Sequence, residues 1–171
     1  CYCIPYDGGD FPGTWISGEE LRTWLTALRA PSQTTNICVF IDSCFSGLFI
    51  GKDLQASQAS PLRSKFVMKP GSDPNFKGDT PVKQIEQMAD ASVITASSGT
   101  ELSLTAPALG HSLCMYYLIT GLGVGGTIGP ADLNHDGKIT MTELYTYSYQ
   151  PVVDYSTQQA SPQHPQFYKG A

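Results

Sequence analysis

A chain of 171 residues with an apolar fraction of 41% has the length and the hydrophobicity to fold as one globular domain. Its formal net charge of −5, without any run of Lys and Arg, argues against nucleic acid as a partner. No segment approaches the ~20 consecutive apolar residues that span a bilayer, so a membrane is not expected as a partner either.

The cysteines indicate a reducing environment. They are odd in number and form no Cys-x-x-Cys pair, which argues against a disulfide framework and against a zinc site. Their positions are Cys1, Cys3, Cys38, Cys44 and Cys114. We expect reduced thiols, which are typical of a cytoplasmic protein.

The first predicted elements are a short strand and an amphipathic helix. Residues 1–5 are apolar enough for a strand, and the Gly-Gly and Pro-Gly pairs of 6–13 predict a loop. Ser17, with Glu20 three residues later, forms a capping box that marks a helix start. Apolar residues then follow at helical spacing: Leu21, Trp24, Leu25 and Leu28. Pro31 is expected to end this helix.

The next segment, 36–42, is nearly continuously apolar and rich in β-branched side chains. This composition predicts a strand that is buried on both faces, as in a parallel sheet. Polarity changes abruptly at Asp42, and Cys44 follows two residues later. Residues at the carboxyl edge of an open α/β sheet face the crevice where ligands bind, so Cys44 is placed for chemistry. A small, buried, apolar cysteine describes Cys38, inside the strand, better.

Residues 48–90 form a long polar stretch that is rich in Ser, Gln and Pro and carries several Lys and Arg residues. A loop of this length within a compact domain is typically functional or disordered. We expect a long mobile linker within the domain.

Fewer strands are evident than a complete α/β domain needs. A second buried strand is predicted over 92–96, and an apolar helix over 109–122 that ends at Gly123. The glycine-rich residues 123–129 form a connector. Doubly wound sheets have about five or six strands, whereas two central strands and one amino-terminal strand are evident here. The chain is therefore expected to be the carboxyl-terminal portion of a larger domain.

Residues 132–143 match the twelve-residue calcium loop of the EF-hand. Oxygen ligands at positions 1, 3, 5, 7 and 12 would come from Asp132, Asn134, Asp136, the carbonyl of Lys138 and Glu143. Gly137 stands at the sharp turn, and Gly and Pro before the loop argue against an entering helix. The alternative is an Asx-rich turn that only caps the helix that follows.

The run Asp42-Ser-Cys-Phe-Ser-Gly47 resembles the nucleophile motif of the caspase-like cysteine peptidases, in particular the bacterial metacaspase or orthocaspase type. Further similarities follow in the same order as in that family, at Tyr2 to Asp7, Ile16 to Leu21, Ser92 to Ser97 and Gly110 to Leu122. The resemblance covers most of residues 1–171 and implies a caspase-like αβα sandwich with a mostly parallel sheet.

The same resemblance implies a cysteine-type endopeptidase with Cys44 as the nucleophile of a Cys–His dyad. Asp42 aligns with the acid of the primary specificity pocket, which implies cleavage after Arg or Lys of a peptide or protein substrate. Alternatively, Asp42 caps the adjoining turn. The family is often cleaved within the linker, and it places the dyad histidine before the segment that begins here. That histidine is therefore expected upstream of Cys1, in the same polypeptide or in a separate amino-terminal chain.

The histidines of this chain do not fill that place. His111 is expected to pack at a helix start, His135 to point outward from the calcium loop, and His164 to lie on the surface in a Pro- and Gln-rich tail. A second interpretation stays open, namely a catalytically inactive pseudo-protease or a calcium-stabilised binding module.

Overall fold

A computed structural model describes residues 2–3, 16–32, 36–43, 46 and 91–169. Three predicted features lie outside the described residues, namely the loop 6–13, Cys44 and the linker 48–90. The described part of the chain is a mixed α/β structure with three α-helices and a partly parallel sheet. None of these helices combines the length and the apolarity that crossing a membrane requires.

The described chain begins with a short antiparallel pair, β1 (Tyr2–Cys3) and β2 (Ile16–Ser17), followed by α1 (Gly18–Ser32). The predicted capping box is present at the start of α1. Glu20 N–H donates to Ser17 Oγ at 3.1 Å, and Ser17 N–H donates to Glu20 Oε2 at 2.8 Å. The helix ends one residue after Pro31, close to its predicted end.

Half of the apolar stripe on α1 enters the core. Leu21 and Leu25 pack against the buried cluster around Val93. Trp24 and Leu28 are 53% and 57% exposed. The core-facing positions are four residues apart, so the helix meets the sheet along a narrower seam than the sequence pattern offers.

The centre of the described chain is a parallel strand pair, β3 (Ile37–Ile41) and β4 (Ala91–Thr95). The prediction of a strand over 92–96 is confirmed within one residue. Val93 and Ile94 on β4 are fully buried. β4 therefore has the continuous burial that its apolar sequence predicts.

The prediction that the first of these strands is buried on both faces is wrong. Burial alternates along β3: Val39 is partly covered, whereas Cys38 and Phe40 are exposed. The physical reason is that α1 covers only one face of β3, through Leu21 and Leu25, and the other face meets solvent among the described residues. The interpretation of Cys38 as a buried cysteine is wrong for the same reason.

After β4 the chain forms a short antiparallel pair, β5 (Thr105–Ala106) and β6 (His111–Ser112), and then α2 (Leu113–Leu122). The predicted helix 109–122 starts later than expected because a 3-10 turn and β6 occupy its first positions. Gly123 ends α2 as predicted.

A long helix follows the calcium-type loop. It is α3 (Met141–Gln158), and it continues through Pro151. Val152 and Ser156 on α3 are buried, so packing of the helix continues beyond the proline. Tertiary contacts on its buried face thus offset the missing donor of the proline.

α2 and α3 pack closely against each other and against the sheet. Ile94, Leu118 and Leu144, one from each element, belong to a single buried cluster. Gly121 makes this approach feasible, because a Cβ at that position would lie 2.8 Å from Tyr147 Cδ1.

The chain then returns to the sheet as β7 (Gln166–Tyr168), antiparallel to β4, where the sequence indicated only a tail. Gln163, just before β7, is completely buried. Its Nε2–H donates to the Ala96 carbonyl at 2.8 Å, and its Oε1 accepts from Leu104 N–H at 2.8 Å. This amide joins the carboxyl-terminal segment to both ends of the loop that follows β4.

Gln163→Met is expected to lower the free energy of unfolding by about 2–4 kcal/mol, because the buried Ala96 carbonyl and the partly buried Leu104 amide lose their partners while side-chain volume is kept. Urea unfolding followed by circular dichroism measures the change. Gln150→Met is the matched control, since the Gln150 amide donates only to an exposed acid on α3 and contributes about 0.5 kcal/mol or less. Equal destabilisation by the two substitutions would contradict the bridging role of Gln163.

Candidate functional site

Three parts of the chain meet at the carboxyl edge of the described sheet. β3 and β4 both end there, and β7 begins there because it runs antiparallel to β4. The ladder extends one residue further, since Ala96 N–H donates to the Ile41 carbonyl at 2.9 Å. The segment that contains Cys44 leaves the sheet at this edge, directly after β3.

The residues on either side of Cys44 are fastened to the chain that follows β4. Ser97 Oγ–H donates to the carbonyls of Ser43 at 3.4 Å and Glu101 at 3.2 Å, in a bifurcated bond. Ser97 N–H donates to Ser46 Oγ at 3.1 Å, and Ser46 is completely buried. Ser43 and Ser46, the described residues that flank the predicted nucleophile in sequence, are therefore both held against the chain that follows β4. Cys44 itself lies outside the described residues.

Asp42, the predicted substrate-binding residue, is exposed at the same edge. Its Oδ2 accepts a hydrogen bond from Ser112 Oγ at 2.5 Å, and its Oδ1 accepts one from Ser103 Oγ at 3.4 Å. These donors lie 70 and 61 positions further along the chain. The described hydrogen bonds of the carboxylate thus go to the loop before β5 and to the start of α2, not to the adjoining turn.

His164, which was expected to lie on the surface, is partly exposed and pairs with a carboxylate. His164 Nδ1 lies 2.5 Å from Glu101 Oε1, and the two side chains are only 38% and 20% exposed. Glu101 Oε2 also accepts from His164 N–H at 2.8 Å and from Ser98 N–H at 3.3 Å. A carboxylate at Nδ1 favours the tautomer protonated there, which leaves Nε2 without a described partner. Sequence patterns gave no signal for this pair, because it depends on the return of the chain at β7.

Neither of the other two histidines makes a side-chain hydrogen bond to Ser43 or Ser46, the described residues that flank Cys44. His111 is exposed on β6, where it pairs with Ala106 in the short antiparallel ladder. His135 is exposed within the calcium-type loop and has a φ of 60°. Their described positions therefore give neither of them contact with the predicted nucleophile's neighbours.

Cys114 is close to the site but is unsuited to nucleophilic chemistry. It lies on α2 and is 1% exposed. Burial, and secondly the charge of Asp42, raise the pKa of this thiol to about 12. Cys114 is therefore a neutral, apolar core residue at physiological pH.

The calcium-type loop folds around its first acid. The carboxylate of Asp132 is nearly buried and accepts from Asp136 N–H at 3.1 Å and from Gly137 N–H at 3.0 Å. Asn134 Oδ1 also accepts from Asp136 N–H, at 2.9 Å, and Asp136 Oδ1 accepts from Lys138 N–H at 2.9 Å. Gly137 has a φ of 81°, which only glycine adopts readily, so the predicted sharp turn is at the predicted residue.

Glu143, the last predicted ligand, begins α3. Its Oε2 accepts from Thr140 N–H at 2.9 Å and from Thr140 Oγ–H at 2.7 Å, which completes a capping box. Its Oε1 is buried and has no hydrogen-bond partner among the described residues, although the backbone amides of Asn134 and Leu133 are near enough to the carboxylate to help lower its pKa. A buried carboxylate oxygen without a donor is costly, and a cation would satisfy it.

The loop carries the types of oxygen donors that a hard cation binds, but these donors are not arranged around a common centre. Carboxylate, amide and carbonyl oxygens are the ligands that calcium prefers. In the described part of the chain, however, no three His, Cys, Asp or Glu side chains converge into a metal-binding group. Asp132 and Asp136 point their oxygens at loop amides instead, as in an Asx-rich turn. The unpartnered Oε1 of Glu143 is the observation that favours a cation.

Similarity to known proteins does not assign a function to the sheet-edge site or to the loop 132–143. Comparison of the chain with models of protein families, with curated proteins and with solved structures found no match. The functional argument therefore depends on the residues of this chain and their geometry.

The glutamates of the two capping boxes, Glu143 and Glu20, are expected to make the stability of the fold fall at low pH. Hydrogen bonds from Thr140 hold the pKa of Glu143 below its ordinary value of 4.5, and those from Ser17 do the same for Glu20. A depressed folded-state pKa stabilises the protein fully above the unfolded-state pKa, and this contribution is lost as pH falls through the folded-state value. Glu143→Gln and Glu20→Gln should therefore each flatten the fall in melting temperature below about pH 4.5.

Thermal unfolding in a chelating buffer, followed by circular dichroism over a series of pH values, measures this slope. Gln can still form the capping box, so the two variants should fold normally near neutral pH. A slope identical to that of the unsubstituted protein in both variants would contradict the role of these carboxylates.

Proposed function

We propose that this protein is a caspase-like cysteine endopeptidase of the metacaspase type, with Cys44 as its nucleophile and peptides or proteins as substrates. The corresponding fold is an αβα sandwich, with which the parallel pair β3–β4 and the covering helices are compatible. The observation that carries the proposal is the anchoring of both Ser43 and Ser46, on either side of Cys44 in sequence, to Ser97 at the sheet edge. A nucleophile must be held in a defined place relative to the substrate, and a turn fixed at both ends supports this.

The chemistry requires a base, because a cysteine with an ordinary pKa of about 8.5 is mostly a thiol at neutral pH. We assign this role to a histidine upstream of Cys1, in the complete polypeptide or in a separate amino-terminal chain. The imidazole takes the proton of Cys44, Sγ attacks the scissile carbonyl carbon, and the imidazole then protonates the leaving amine. Water hydrolyses the thioester and restores the thiol. The Cys44 backbone N–H would stabilise the oxyanion.

Asp42 supports a preference for basic substrates. Its carboxylate is exposed at the edge where the turn 43–46 begins, two residues before the proposed nucleophile. A carboxylate this close in sequence to the nucleophile can bind the cationic side chain that precedes the scissile bond. It would form an ion pair with Lys or a pair of parallel hydrogen bonds with Arg. Cleavage after Arg or Lys is therefore the proposed specificity.

A second candidate is a pseudo-protease or a calcium-stabilised binding module with the same fold. One observation favours it: among the described residues, no histidine side chain hydrogen-bonds to the turn 43–46. In that case the anchored turn and Asp42 would bind a basic peptide without cleaving it.

We further propose that the loop 132–143 binds calcium, which would neutralise its acids and stabilise the start of α3. The ligands would be the side chains of Asp132, Asn134, Asp136 and Glu143 and the carbonyl of Lys138. The unpartnered Glu143 Oε1 supports this proposal. A single loop of this kind more often stabilises a fold than senses calcium, because sensor EF-hands act as pairs.

In the complete polypeptide, Cys44→Ala is expected to abolish cleavage of fluorogenic peptides with Arg or Lys before the scissile bond, because no acyl-enzyme can form. Cys38→Ala is the matched control, since Cys38 is an exposed cysteine on β3. Asp42→Asn should lower kcat/KM for these peptides roughly hundredfold through loss of the charged contact. Asp154→Asn, on the exposed side of α3, is its control and should retain activity.

Three outcomes would decide between the candidates. Unchanged turnover in Cys44→Ala would remove Cys44 from the reaction. Binding of a basic peptide without turnover in the unsubstituted protein would favour the binding module. Loss of activity in His164→Ala, with binding retained, would contradict an upstream base and assign that role to the Glu101–His164 pair.

Calcium at a hundredfold excess over its Kd should raise the free energy of unfolding by about 2.7 kcal/mol, seen as a higher melting temperature than in chelator. Glu143→Gln should abolish this shift. Glu20→Gln is the matched control, because it removes a capping-box carboxylate from α1 and should keep the shift. A melting temperature of the unsubstituted protein that is the same in calcium and in chelator would show that the loop is only an Asx-rich turn.

A further inference from the structure

We propose that Ser103 and Ser112 fix the carboxylate of Asp42 in one orientation, so that the specificity pocket selects arginine over lysine. This inference rests on the proposed peptidase function and assigns roles to two serines that act through Asp42. They are positioning residues, because they contact the specificity carboxylate and not the scissile bond.

The two serines hold the carboxylate from different sides. Ser112 Oγ is 2.5 Å from Asp42 Oδ2, and Ser103 Oγ is 3.4 Å from Oδ1, so each carboxylate oxygen has its own hydroxyl partner. Ser103 lies in the loop between β4 and β5, whereas Ser112 ends β6 and caps α2. Two contacts on two oxygens, from separate elements, restrict rotation about the bond that carries the carboxylate.

The hydroxyl of Ser112 is itself fixed. As the N-cap of α2, its Oγ accepts a hydrogen bond from Met115 N–H at 3.4 Å. A serine hydroxyl has a single proton, and accepting from the helix amide leaves that proton for Asp42. The backbone of Ser112 is also fixed, because the residue pairs with Thr105 in the β5–β6 ladder. The orientation of Asp42 is thus tied to the start of a helix.

A fixed carboxylate distinguishes the two basic side chains. An ionised carboxylate has about four acceptor sites, so the two serine bonds leave roughly one on each oxygen. The guanidinium of arginine needs both oxygens in its own plane for two parallel bonds, whereas the ammonium of lysine is a point charge with no such requirement. Free rotation of the carboxylate would therefore weaken arginine binding more than lysine binding.

The experiment compares two peptides that are identical except for Arg or Lys before the scissile bond, with the complete polypeptide as enzyme. Ser112→Ala should lower kcat/KM for the Arg peptide roughly tenfold, mainly by raising KM, and that for the Lys peptide less than about threefold. Ser103→Ala should act in the same direction but less, since its hydrogen bond is longer. Ser112→Thr and Ser103→Thr keep the hydroxyl and should retain the preference for the Arg peptide.

The melting temperature of each variant reports its folding. Ser112→Gly replaces Ser112→Ala if the latter does not fold, because glycine is tolerated at an N-cap. Ser103→Ala tests the same carboxylate without touching the cap. Equal losses on the two peptides, or an unchanged Arg-to-Lys ratio in both alanine variants, would overturn the positioning role.

These failures are distinguishable from failure of the peptidase proposal. In one case the unsubstituted protein cleaves the Arg peptide, Cys44→Ala does not, and the serine variants keep the Arg-to-Lys ratio of kcat/KM. Only the positioning role is then contradicted. If the unsubstituted protein cleaves neither peptide, the peptidase function falls, and the positioning role falls with it.

Discussion

The structure of the candidate site depends on the hydrogen bonds that join Ser97 to Ser43 and Ser46. Parallel pairing alone would bring the ends of β3 and β4 to one edge of the sheet. The two segments that follow these strands would then be free to diverge beyond that edge. The buried bonds between Ser97 and Ser46, and the bond to the Ser43 carbonyl, hold them together past the last strand residues. A buried hydroxyl that loses its partner is costly, so this junction resists opening.

The carboxyl-terminal segment stabilises the same edge from the other side. Gln163 bonds to both ends of the loop after β4, and the His164–Glu101 pair binds its middle. That loop carries Ser103, one of the two hydroxyls on Asp42. The edge is therefore assembled from three stretches that are distant in sequence, and each restricts the conformations open to the others.

Local patterns predicted the parts of this fold that neighbouring residues decide. The capping box at Ser17, the end of α2 at Gly123 and the buried strand β4 each depend on a few adjacent residues, and each is present. The exposed face of β3 was not predictable from its apolar run, because exposure depends on which elements pack on that face. Position after a strand placed Asp42 at the edge, but its partners 61 and 70 residues away carry no pattern in the sequence.

The burial of Cys114 makes this thiol a reporter of local opening. Alkylating and disulfide reagents attack the thiolate of an accessible cysteine, and in the folded protein this side chain has neither a low pKa nor exposure. Its modification consequently requires the amino-terminal part of α2, next to the Asp42 carboxylate, to separate from the core. The rate of that modification, compared with the rate at exposed Cys38, gives the protection factor of the segment beside Asp42.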